Sequence, residues 1–115
     1  MDFIPSLHPL TPPHTAEDRA IWLRLLRSRR VGVSTFYRLM TDHGSAAAAL
    51  TALPEIAREA GVSGYQTCPM SVIDKELNAG RKAGARLIAI GDPTYPAALS
   101  LIPDAPPLIW VKGDV

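Results

Sequence analysis

The chain has 115 residues, 47% hydrophobic and 20% charged, enough for one modest core and a fragment of a second domain. A net charge of +1 and a pI near 7.9 exclude a strong global field, so a polyanion partner has to be argued from where the charges sit. The single Cys68 excludes an internal disulfide and a cysteine-based zinc cluster, in keeping with a reducing cytoplasm, and no apolar run approaches the ~20 residues of a membrane-spanning helix.

Residues 1 to 15 hold Pro5, Pro9, Pro12 and Pro13 and read as an extended arm without an export signal. His8 and His14 in this arm lack ligand companions at regular spacing, so they read as solvated residues and no metal is expected. Thr15 offers an N-cap, with Glu17 and Asp18 in the first turn of a helix running to about Ser28. Its apolar side is Ile21, Trp22, Leu25 and Leu26, with Arg24 and Arg27 on the opposite arc.

A short connection, Arg29-Arg30-Val31-Gly32-Val33-Ser34, leads into a second helix from about Thr35 to His43, with Ser34 as its expected N-cap. Helix, tight glycine turn and helix form a helix-hairpin-helix arrangement, in which free backbone N–H groups and a positive helix end can hold a phosphate. Between residues 19 and 38 stand Arg19, Arg24, Arg27, Arg29, Arg30 and Arg38 and no acidic residue. That local asymmetry makes Arg27, Arg29, Arg30, Gly32, Val33, Ser34 and Arg38 the candidate DNA-binding set. A DNA-binding hairpin usually carries two glycines around one apolar residue, and here Arg30 occupies the first glycine's place. A docking surface whose arginines are merely solvated fits the same residues.

Phe36, Leu39, Met40 and His43 form a core stripe on the second helix, and Gly44 terminates it in the left-handed conformation. Ser45 caps a helix from Ala46 to about Ala52, and Pro54 suits the first turn of a separate short helix to about Ala60, closed by Gly61. Val62 to Thr67 reads as a loop, and Cys68 beyond it as an inert small side chain, since no catalytic cysteine signature surrounds it. Pro69 opens a helix from about Met70 to Ala83 with Met70, Ile73, Leu77 and Gly80 on one face; Lys75 and Lys82 read as solvated. The domain divisions expected are an arm over 1–15, a helical domain over 16–84 and the start of a second domain over 85–115.

Leu87 to Ile90 is a short buried-strand candidate, and Pro93 and Pro96 force a corner after it. Ala97 to Ile102 allows one or two helical turns. Pro103, Pro106 and Pro107 then stiffen a crossing into a second strand candidate, Leu108 to Val111, ended by Lys112-Gly113-Asp114. The fold class read from these elements is a mainly α N-terminal helical bundle, helix-hairpin-helix-like at its first turn, followed by the first strands of an α/β domain.

The pattern Tyr95, Pro96, Leu99, Pro106, Pro107, Leu108, Lys112, Gly113, Asp114 resembles the signature of the bacterial DNA-processing protein A family (DprA, also called Smf). The stretch Val31 to Leu50 resembles the small helical domain that precedes it, so the resemblance runs from about residue 17 to 115. It implies a SAM-like or helix-hairpin-helix-like helical domain followed by the first strands of a Rossmann-like α/β domain that is incomplete within these residues, in a non-enzymatic, cytoplasmic protein that binds single-stranded DNA and helps load a RecA-type recombinase in natural transformation, as a homodimer at full length. It also implies that single-stranded DNA is held mainly by residues beyond Val115, where the family's phosphate-binding loop would lie. Neither G-x-G-x-x-G nor a Walker motif nor an acid-base pair is present, so neither enzymatic activity nor a cofactor is expected. A protein-docking or oligomerisation module without direct DNA binding is the alternative.

Overall fold

The computed structural model describes residues 11–113. Four helices, α1 (Ala16–Arg27), α2 (Val33–His43), α3 (Ala46–Glu59) and α4 (Met70–Lys82), precede strand β1 (Ala85–Ala89), the single turn α5 (Ala97–Ser100) and strand β2 (Leu108–Lys112). The fold class is as expected, a helical N-terminal domain followed by two strands with which an α/β domain can open.

Local chemistry sets most of the boundaries. Thr15 accepts a hydrogen bond from the Asp18 amide and so caps α1, Ser45 does the same for α3 through Ala48, and Gly44 ends α2 at φ 84°. The helices close on Leu23, Leu25, Phe36, Ala49 and Ile73, each fully buried. Trp22 and Phe36 meet with ring centroids 5.3 Å apart at 60°, a tilted contact that aromatic quadrupoles favour.

The observed elements depart from the expected ones at several places. Residues 46 to 59 form one helix with Pro54 inside it, not two. Ala46, Ala49, Leu50, Leu53 and Ala57 make one uninterrupted buried stripe, and the exposed Pro54 leaves the missing backbone donor on the solvent side. Continuous packing on α1 and α2 thereby outweighs a proline penalty of about 3 kcal/mol. On α4 the packed face begins at Ile73, and Met70 is 40% exposed. Strand β1 starts at Ala85, two residues early, because Ala85 and Arg86 find partners in Lys112 and Val111. It ends at Ala89 because Asp92 curls the chain, its amide bonding the Ala89 carbonyl and its carboxylate accepting the Ala89 amide. Ile90 still donates to the Pro107 carbonyl at 2.9 Å.

The two strands pair antiparallel, Leu87 opposite Trp110 and Ile88 opposite Ile109. Between them the proline-rich crossing is held by two phenols. Tyr37 donates to the Ala105 carbonyl at 2.8 Å and Tyr95 to the Pro106 carbonyl at 2.7 Å. Burial, with a smaller contribution from Tyr95, pushes the Tyr37 phenol up to about 12, so both remain donors at neutral pH. Pro107 is fully buried, Pro96 stands at the N-terminal end of α5, and Leu99 packs half-buried against the core. Lys112 ends β2 exposed and Gly113 turns at φ 85°. Asp114, the last residue of the signature, lies outside the described residues, as do His8 and the first ten residues of the arm. Within the described part of the arm, Pro13 is buried and Pro12 stands over Gly91, where a Cβ would lie 2.8 Å from its ring.

One junction joins the helices to the ribbon. The Glu76 carboxylate on α4 receives both nitrogens of the Arg27 fork, at 3.0 and 2.9 Å, and the Trp110 indole N–H at 2.8 Å. The Trp110 ring lies against Gly80, where a Cβ would stand 2.3 Å from Cζ3. Gly80→Ala is expected to lower the thermal midpoint, although helix propensity alone would raise stability by about 1 kcal/mol, because overpacking costs about 1–3 kcal/mol and the ring's hydrogen bond goes with it. An unchanged or raised midpoint would show that the ring is not seated there.

The Arg27 hydrogen bonds hold the Glu76 carboxyl below its ordinary value of 4.5, and Trp110 adds to this against desolvation. A carboxyl depressed in the folded state contributes stability that is complete above its unfolded value and is lost as pH falls through the folded one. Denaturant midpoints measured from pH 6 down to about 3 should therefore fall less steeply for Glu76→Gln than for the parent chain.

Candidate nucleic-acid interface

The turn between α1 and α2 is built from inside. Ser28, 3% exposed, donates its hydroxyl to the Arg24 carbonyl and accepts the Cys68 amide at 2.9 Å. Val31 then bonds back to the Ser28 carbonyl at 3.1 Å. Arg30 sits at φ 69°, the sole positive-φ residue among the described residues that is not glycine. This is the backbone shape for which a hairpin's first glycine is suited, so the local conformation is retained although a side chain has taken glycine's place.

Gly32, rather than Ser34, is the N-cap of α2. Its extended backbone lets its carbonyl take the Phe36 amide at 2.9 Å, and Ser34 falls inside the first turn, exposed and without a capping bond. The N-terminus of α2 has neither a side-chain cap nor an acid in its first turn. Its free N–H groups at Val33, Ser34 and Thr35 therefore present the positive end of the helix, as phosphate capture requires.

The six arginines divide into two groups. Arg24 is half-buried and donates to the Cys68 carbonyl at 2.7 Å and to Thr67; Arg27 is held by Glu76; Arg19 stands 3.8 Å from Asp92. Arg24 and Arg27 are thus hydrogen-bonded to other elements of the chain, and Arg19 stands at the opposite end of α1. Arg29, Arg30 and Arg38 instead line one groove of about 140 Å³ beside the turn, floored by Val31, Leu39, Ile56 and Tyr65. Of the candidate set, the structure thus brings Arg29, Arg30 and Arg38 to one groove and places Gly32, Val33 and Ser34 at the start of α2, while Arg27, bonded to Glu76, lines a separate groove with Arg29.

Tyr65 is the residue of this site that sequence reasoning placed only in a loop. It is 8% exposed, donates to the Arg29 carbonyl at 2.5 Å and carries the Arg29 guanidinium 5.4 Å from its ring centroid, a cation–π distance. Burial raises its phenol pKa against the opposing pull of Arg29. Its partner is 36 residues away, so no local pattern marks it. Cys68 behind it is buried and its thiol pKa is raised, chiefly by burial, the opposite of an activated nucleophile.

The geometry is that of two helices joined by a hairpin with an open helix N-terminus, and the family model described as DprA-like N-terminal HHH domain matches residues 16–79, α1 through most of α4. The chain belongs to this family. Membership places it among DprA-type DNA-processing proteins. No curated protein matches the chain. The matched DprA-like domain contains the whole hairpin groove, whereas the signature residues from Tyr95 onward lie beyond it and shape the ribbon.

Because Arg30 holds a left-handed backbone that glycine adopts without strain, Arg30→Gly is expected to stabilise the fold by about 0.5–1 kcal/mol. A higher denaturant midpoint with an unchanged slope would show it; a lower midpoint would mean that the Arg30 side chain contributes more than its backbone costs.

Proposed function

We propose that this chain is the N-terminal part of a cytoplasmic, non-enzymatic DNA-processing protein that binds single-stranded DNA and helps load a RecA-type recombinase in natural transformation. The full-length protein acts as a homodimer. Within it the helical domain contributes an auxiliary DNA contact at the hairpin, and residues beyond Val115 carry the main one. The observation that supports this reading best is the groove shared by Arg29, Arg30 and Arg38 beside a helix whose N-terminus has no side-chain cap, within a DprA-like domain. Such a site recognises backbone phosphate, with no means of reading base sequence.

A second reading, a protein-docking module, draws on the other half of the arginines. Arg24 and Arg27 are hydrogen-bonded within the chain and Arg19 stands 3.8 Å from Asp92, so half of the row already has acceptors of its own.

Titrating labelled single-stranded DNA with the chain at about 50 and 200 mM salt separates the two, since single strands release counterions with a slope near −0.7 per phosphate contact. Three arginine contacts correspond to a slope of about −2 in log affinity against log salt. Arg29→Ala/Arg30→Ala/Arg38→Ala should abolish most of that slope and weaken binding by about tenfold or more. Affinity that ignores both salt and the triple substitution would remove DNA contact from the hairpin and leave docking.

A further inference from the structure

A second basic groove lies at the other end of α1, outside the hairpin. It has a volume of about 330 Å³ and runs between the start of α1, the end of α4 and the ribbon, lined by Arg19, Arg81, Leu77, Leu87 and Trp110 with Arg86 beside them. That size is at the lower end of small-ligand sites, ~300–1,000 Å³.

Three features of this groove point to a ligand that is both flat and anionic. Arg19 carries a buried Nε with no hydrogen-bond partner, and its closest carboxylate, Asp92, is 3.8 Å from Nη2 and is already bonded to the Ala89 amide. Buried polar atoms are rarely left so. Arg81 donates only to the neutral Asn78 amide oxygen at 2.9 Å, which leaves its charge without a counterion among the described residues.

The third feature is Trp110. Its indole N–H is tied to Glu76 and its six-membered ring is set against Gly80, so the half-buried ring is fixed before anything binds. Glu76 does not oppose an anion here, because Arg27 neutralises it. A fixed indole flanked by Leu77 and Leu87, with guanidinium groups at its sides, is the combination that holds a base by stacking and its phosphate by charge.

We propose that this groove is a second binding site, which takes a nucleotide unit, with the base against Trp110 and the phosphate on Arg19 and Arg81. The unit can belong to a DNA single strand or be a free nucleotide. The site goes beyond the hairpin, stands on separate residues and does not require the hairpin to bind.

Trp110 is its own reporter, since Trp22 is 5% exposed in the core and is shielded from contact with a base. Titration with a dT oligomer of about 12 nucleotides, within the ~4–16 range of single-strand sites, should quench the solvent-side tryptophan emission saturably. Arg81→Glu, a surface change that leaves the Trp110 seat intact, should weaken that quenching about tenfold or more, while Arg29→Ala/Arg30→Ala should preserve it. Thymidine monophosphate tested alongside distinguishes the sources: quenching by both identifies a free-nucleotide site, and quenching by the oligomer alone identifies a strand site. Emission unchanged by either ligand, or quenching that Arg81→Glu leaves untouched while circular dichroism shows a folded chain, would overturn the proposal.

Discussion

The Glu76 carboxylate is the constraint on which the arrangement of this chain depends. It joins α1 to α4 through Arg27, 49 residues away in sequence, and α4 to β2 through Trp110, 34 residues away. A forked guanidinium and an indole N–H on one carboxylate use planar, directional donors, so they fix orientation as well as distance. Because α4 is the element shared by both contacts, one acid couples the placement of α1 to that of β2. Gly80 completes the junction by letting the indole lie on the helix backbone, which any side chain at that position would prevent.

This junction also determines which charges remain for a partner. A row of six arginines between residues 19 and 38 reads as one basic surface, yet the folded chain binds Arg24 and Arg27 to acceptors on other segments and leaves Arg19 at a different end of α1. Arg29, Arg30 and Arg38 stay at the hairpin, where the uncapped end of α2 adds its partial positive charge. The net charge of the chain is nearly zero, so a polyanion would be held by short-range geometry and not steered from afar.

The ribbon shows what its signature residues do physically. Tyr95 and Pro107 are buried within the crossing, one as a hydrogen-bond donor to the Pro106 carbonyl and the other as an acceptor for Ile90. Prolines there present no backbone donors to satisfy, and the two phenols, one from α2 and one from within the crossing, supply donors to the Ala105 and Pro106 carbonyls. The segment is thereby ordered with very little regular structure of its own.

Much of this was legible in the residues. Thr15, Gly44 and Ser45 mark helix ends through contacts within four residues, and the periodicity of Phe36, Leu39 and Met40 or of Leu87 to Ile90 reflects burial that any fold of these segments must provide. The family signature likewise was readable as a pattern of residue types. Tertiary structure decided the rest. Whether Pro54 divides a helix depends on the packing of α3 against its neighbours, and whether Gly32 or Ser34 caps α2 depends on the Arg30 backbone held by the Ser28 turn and by Tyr65. Which arginines are free depends on acceptors 43 to 49 residues away. Caps and periodicity are local and so are written in the order of residues, whereas the partner of a long charged side chain is settled only when distant segments meet.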